Sequence, residues 1–230
     1  MSEEQRSEVL PSPRHKRGRP SQAKLTEEAI GQAALELIDE KGWSALTMNA
    51  LAARLHVRAP SLYHYIDGQN DLIDLFRIQI VRKIETAQLA DMNWEEAIIS
   101  FGMSYYRAFL QHINTIGILS VTPIRDRETF KMYEAFLSVL DREGWNGERS
   151  IEILAGLEYL ALGSAYEQSA ADMMFNPDLA EANEAPVLAR FVRERINKEQ
   201  AVEDTFIQLL HDFVEMFRIE RERELRKELD

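Results

Sequence analysis

Apolar residues recur along this chain at three- and four-residue spacing, and no stretch shows the two-residue alternation of a half-buried strand. The first stripe is Ile30, Ala33, Ala34, Leu37 and Ile38, on a helix capped by Thr26, begun by Glu27 and Glu28 and ended by Gly42. Thr47 to Ile66, TMNALAARLHVRAPSLYHYI, then reads as two short helices around a tight turn, with Leu51, Leu55, Val57, Leu62 and Tyr65 at inward positions. Ala52 is small where those two helices meet. Beyond the breaker Asp67-Gly68, the period Leu72, Ile73, Phe76, Ile80, Val81 and Ile84 predicts a long helix from about Gln69 to Leu89, stiff enough to act as a lever. Further helices are predicted over Trp94 to Ile113, over a short segment through Val121 stopped near Pro123, and over Arg125 to Glu143 with Gly144 closing it. Glu148 to Met174 is apolar nearly all round and must be covered on both sides, with Gly156 and Gly163 on one face for close approach of another helix. Asn176 to Pro186 reads as an acidic loop and Val187 to Ile196 as a short helix. The last helix starts near Glu199, and its stripe of Val202, Phe206, Leu209, Leu210, Phe213 and Phe217 fades into a charged end. The predicted fold class is all-α, a three-helix head carrying a helix-turn-helix and a larger helical body.

Within the head, Thr47 is placed to cap the first helix of the pair, and Pro60 falls at the start of the second, where its missing N–H costs nothing. His56 stands at the turn position that wants a positive φ, commonly supplied by Gly. The second helix would then show Arg58, Ala59 and Ser61 to the outside, followed by Tyr63 and His64. In a helix-turn-helix, that end enters the DNA major groove.

Charge sharpens this reading. The 230 residues carry a net −12, unevenly spread: +3 from Arg14 to Ile66, −13 from residue 67 onward. Ser12 to Lys24, SPRHKRGRPSQAK, has no acidic residue; it carries Arg14, and Arg17 and Arg19 flank Gly18 on a chain without apolar period. Guanidiniums on such a flexible arm suit the narrow minor groove of A·T-rich DNA. The acidic remainder would repel DNA and orient the encounter. There is no cysteine, which excludes a disulfide scaffold and the usual zinc-finger sites and fits a cytoplasmic protein. The longest charge-free run, Ala108 to Ile124, is too polar to span a membrane. The five histidines are scattered, without a metal-binding or nucleophile motif, so neither an enzyme nor a metal or other cofactor is expected.

In the body, aromatic and Met side chains exceed what a plain core needs. The candidate lining of a small-molecule pocket is Phe101, Tyr105, Phe109 and His112 from one helix, Met132 and Phe136 from the next, and Glu158 and Tyr166 from the apolar one. Glu158 is the most telling, because a carboxylate on an apolar helix must reach solvent, a base or a polar cavity. A ligand meeting it should be largely apolar with a donor or cationic group at one end. The two wide apolar helices, at about 148–174 and 199–217, are read as an intermolecular four-helix bundle that makes a homodimer.

The head, LTEEAIGQAALELIDEKGWSALTMNALAARLHVRAPSLYHYI, resembles the DNA-binding domain of the tetracycline-repressor (TetR) family of bacterial transcription regulators. The body is similar, in weaker form, to the tetracycline repressors proper, over Trp94 to Leu110 and in ALGSAYEQ from Ala161 to Gln168. The resemblance implies residues 1–24 as a flexible arm, 25–68 as the DNA-binding domain and 69–230 as the effector-binding and dimerisation domain. It implies a homodimer on a palindromic double-stranded DNA operator, released by a small-molecule effector, with DNA contacts from Thr47, Arg58, Ser61, Tyr63 and Tyr65. Two positions depart from the family pattern. Gln69 stands where many members have a Lys, and Glu85 and Leu119 stand at the best matches to the two His residues that hold a Mg²⁺–tetracycline complex, so a different ligand is expected. An architectural DNA-binding protein without an effector is the alternative, and it would need no cavity.

Overall fold

The structure, a computed structural model, describes residues 25–169, 175–196 and 201–229; the arm residues Arg14, Arg17 and Arg19 lie outside them. Among the described residues there are eleven α-helices and no strand. The head comprises α1 (Glu27–Lys41), α2 (Met48–Arg54) and α3 (Ala59–Leu62). Its chain breaks follow local chemistry. Thr26 and Thr47 accept the Ala29 and Ala50 N–H groups at 3.1 Å each, supplying acceptors that the first turns of α1 and α2 lack. Gly42, at φ +77°, ends α1, its N–H returning to the Ile38 carbonyl.

The head leans on α4 (Gln69–Val81), which packs along α1 more extensively than any other pair of helices. Gly31 makes this possible: a Cβ there would lie 2.5 Å from the Leu75 carbonyl oxygen, so the two backbones touch. The predicted lever is shorter than its apolar period. After Val81 the chain tightens into Lys83 N–H to Ile80 and Ile84 N–H to Val81, and Glu85 N–H is taken by the Ser104 hydroxyl at 2.7 Å. Ile84 and Leu89 are still buried, Ile84 from a bend and Leu89 from a single 3-10 turn at Leu89–Asp91 rather than from α4.

The body is built on α5 (Trp94–Leu110), α8 (Gly147–Ser169) and α11 (Ala201–Leu229), with α7 (Arg127–Arg142) laid across α4, α5 and α8. Asn93 and Glu96 form a reciprocal capping box at the start of α5, and Asp126 caps α7 through Thr129 N–H at 2.7 Å. Rings fill much of the centre: Phe101 stacks on Phe136 at 4.6 Å, Tyr106 on Phe206 at 4.4 Å, and Trp94 meets Trp145 edge-on at 5.1 Å. Gly156 admits α11 closely, since a Cβ there would touch the Phe213 ring at 2.9 Å, whereas Gly163 faces open space.

Between α5 and α7 runs a short helix, α6 (Ile116–Leu119), preceded by a single turn at Ile113–Thr115. The segment read as a loop contains α9 (Pro177–Ala182), set by Asn176, which accepts from Asp178 and Leu179 N–H, and by Pro177 in the first turn. It packs against α10 (Pro186–Ile196). Among the described residues, no helix is long and apolar enough to cross a membrane.

Candidate DNA-binding face and ligand cavity

The turn between α2 and α3 is closed by two backbone bonds, His56 N–H to Ala53 at 3.2 Å and Val57 N–H to Ala52 at 3.0 Å. This is the Schellman pairing, which needs a left-handed residue at its pivot, and His56 supplies it at φ +55°. Leu51, Ala52 and Leu62 are buried beneath, with Leu55 and Val57 half-buried. Ile66, not Tyr65, is the final inward residue: Ile66 is 2% exposed and Tyr65 37%. The reason is that α3 is only four residues long and continues as turns, with Tyr65 and Ile66 N–H both returning to the Leu62 carbonyl. Tyr63, at 56% exposure, and His64 point outward together with Arg58, and Ser61 is half-buried. Thr47 accepts one bond as a cap and keeps its own O–H to donate.

Arg54, the other guanidinium of this pair of helices, is committed elsewhere. It holds Glu40 at 2.5 and 2.9 Å and Glu36 at 3.0 Å, fastening α2 to α1. Residues 25–66 carry three basic and five acidic side chains, so the positive charge of the first 66 residues resides in the arm. Arg58 is then the exposed cation of the helix-turn-helix itself.

The body holds a cavity of about 760 Å³, open to solvent on one side, between α4, α5, α7, α8 and the segment 119–124. Of the residues anticipated, Tyr105, Phe109, Met132 and Glu158 line it. The other four do not. Phe101 and Phe136 are spent on each other, stacked in the solid part of the core. His112 lies at the junction with the head, Nδ1 at 2.7 Å from Asp39 Oδ2 and Nε2 at 2.7 Å from Lys83 Nζ. The lysine ammonium has only donors, so Nε2 accepts and Nδ1–H donates to Asp39. Tyr166 lies further along α8, half exposed, its hydroxyl near Gly117. Leu119 is in the cavity wall, whereas Glu85 is exposed and borders a separate surface groove.

Lining residues that the sequence reading missed include Arg77, Tyr133, Tyr159 and the stretch Ser120 to Ile124. Arg77 had a signal like that of Glu158: a charged residue beside Phe76 on the buried side of α4. At 3% exposure it faces Asp74 at 3.3 Å and Asp126 at 3.7 Å and donates to the Thr122 and Pro123 carbonyls at 2.8 and 3.3 Å. Glu158 Oε1 accepts the hydroxyls of Tyr105 at 2.8 Å and Tyr133 at 2.5 Å. Burial first, then Tyr133 and Glu158, push the Tyr105 hydroxyl well above its ordinary range, and burial and Glu158 do the same to Tyr133. Both phenols therefore stay protonated as donors. Tyr159 and Val121, 76% and 75% exposed, stand at the mouth.

A helix-turn-helix on a helical body defines a class, the DNA-binding transcription regulators. Residues 30–74 match the family described as "Bacterial regulatory proteins, tetR family", and residues 87–218 match "Tetracyclin repressor-like, C-terminal domain". The chain belongs to the TetR family. It is 24% identical to the tetracycline repressor protein class D of Escherichia coli over 203 residues, 86% of this chain and 91% of that protein. A variant tetracycline repressor of Acinetobacter baumannii AYE, solved in complex with minocycline, shares the fold at a TM-score of 0.64 and 21% identity, covering 86% of this chain and 99% of that one. ActR of Streptomyces coelicolor, solved in complex with actinorhodin, does so at 0.64 and 20%, covering 84% and 96%.

Proposed function

We propose that this chain is a ligand-responsive repressor that binds a palindromic operator as a homodimer and lets go when a small molecule enters the body. Residues 1–24 act as a DNA-binding arm, 25–68 as the reading head and 69–230 as the effector-binding and dimerisation domain. The observation that carries the reading is the cavity: an architectural DNA-binding protein has no use for about 760 Å³ of lined space in its body. Arg58, Ser61, Tyr63 and His64 contact bases or phosphates, Thr47 and Tyr65 contact phosphates, and Arg14, Arg17 and Arg19 add affinity from the minor groove. Dimerisation is supported by apolar side chains that the protomer leaves exposed on its two longest helices, Ile151 on α8 and Leu209, Met216 and Ile219 on α11. A two-fold axis between such faces would carry two heads to two half-sites.

The test is operator selection from random duplexes with the full chain, followed by titration at several salt concentrations. Arg58→Ala is expected to cost about 1–3 kcal/mol and relax the choice of base. Removal of residues 1–22 should weaken all sites alike and make the salt slope shallower by about one unit per lost phosphate contact. Selection of no preferred sequence, or a site lacking two-fold symmetry, would count against the reading.

A further inference from the structure

The cavity is bordered by one guanidinium and one carboxylate, in opposite electrostatic conditions. Arg77 is enclosed by two carboxylates, Asp74 and Asp126, and two carbonyls, so its charge is already answered. Among the described residues, Glu158 has no basic side chain within ion-pair distance. Its Oε1 takes two phenolic O–H groups, and its Oε2 has no hydrogen-bond partner among the described residues. Because Tyr105 and Tyr133 direct their O–H groups at that carboxylate, what they present to the rest of the cavity is ring. Tyr159 and Phe109 add two further aromatic faces. A neutral apolar guest would cut Glu158 Oε2 off from water with no donor in exchange, and an anion would meet a like charge with Arg77 already occupied. A cation meets an open carboxylate oxygen inside an aromatic wall, the arrangement in which ring quadrupoles and a counter-ion act in the same direction.

Resting on the reading of this cavity as the effector site, we infer that it takes an amphiphilic organic cation, an amine or onium centre carrying apolar rings. The cationic centre sits by Glu158 Oε2 among the Tyr105, Tyr133 and Tyr159 rings. The apolar part lies against Val81, Leu119, Met132 and Leu162.

Three probes of similar shape and different charge test this by calorimetric titration of the full chain: tetraphenylphosphonium, triphenylphosphine oxide and tetraphenylborate. The phosphonium is expected to bind at least about tenfold more tightly than the oxide, and the borate not measurably, for a site whose unanswered charge is a carboxylate. Glu158→Gln keeps an acceptor for the two tyrosines and should remove the preference for the cation without weakening the oxide. If that variant does not fold, Tyr159→Leu, at the exposed mouth, should weaken the phosphonium several-fold and leave the oxide unchanged. Equal or tighter binding of the oxide or borate, an unaltered preference in Glu158→Gln, or no binding of any probe overturns the inference. Operator affinity measured in the same samples separates the two readings. A Glu158-dependent cation that leaves operator affinity unchanged retains the ligand class and removes the regulatory role. Operator release by a neutral or anionic compound that displaces nothing cationic does the reverse.

Discussion

The head and the body solve opposite packing problems. In the head, Ile30, Ala34, Ile38, Leu51 and Leu62 are completely buried, and what is left for function, Arg58, Tyr63 and His64, faces outward. In the body, the rings of Phe101, Phe136, Tyr106 and Phe206 fill one part as tightly, while one turn away on the same helices Tyr105 and Met132 border space. The difference teaches where to look. A functional residue of the head is an exposed one with no local structural task, whereas a functional residue of the body is an interior one with one side left on open space.

The largest expected effect tests whether that space is real. Phe136→Ala, in the solid part of the core, should destabilise by about 3–5 kcal/mol in urea unfolding, because it opens a new void. Met132→Ala, one turn earlier in α7, only enlarges an existing void and should fall near the low end for Met, about 2 kcal/mol. Equal losses would mean the cavity wall is as tightly packed as the core, and the contrast fails. Two glycines come next. Gly31→Ala puts a methyl group against the Leu75 carbonyl and should cost about 1–3 kcal/mol, despite the better helix propensity of Ala. Gly163→Ala meets nothing within the protomer and should stabilise by about 0.5–1 kcal/mol. A loss at position 163 that deepens on raising protein concentration would place another chain on that face of α8. The smallest effect concerns the head's turn. His56→Gly relieves a left-handed φ and should raise the melting temperature slightly, by the equivalent of about 0.5–1 kcal/mol, with operator affinity unchanged.

Most of the head was legible because its instructions are short-range. Thr26 and Thr47 as caps, Gly42 and His56 as stops and Pro60 as a start each act within four residues. The exception was Tyr65, placed outward by the early end of α3, which a period of 3.6 carried through Ile66 does not reveal. In the body, periodicity located helices but not their ends. The apolar period runs through Ile84 toward Leu89, yet α4 stops at Val81 because an acceptor for Glu85 N–H arrives from Ser104, nineteen residues later. α9 went unread because caps at Asn176 and Pro177, not an apolar stripe, create it. The cavity was half legible for a similar reason. Phe101 and Tyr105 share a helix face, yet Phe101 stacks on Phe136 of α7 whereas Tyr105 borders the cavity, and the period does not tell the two apart. His112 looked like a pocket residue until Asp39 and Lys83, from two distant elements, claimed both its nitrogens.

The contact at Gly31 also bears on how the molecule moves. Helices that pack through side chains can shear past one another by small rotamer adjustments, but α1 and α4 meet backbone to backbone there, with no side chain between them to yield. Sliding is therefore blocked, and Arg54 ties α2 to the same piece through Glu36 and Glu40. The head and α4 are thus held as one piece, and any swing of it against the body has to release the bonds that tie α1 to the body, His112 to Asp39 and Asn114 to the Ile38 and Asp39 carbonyls.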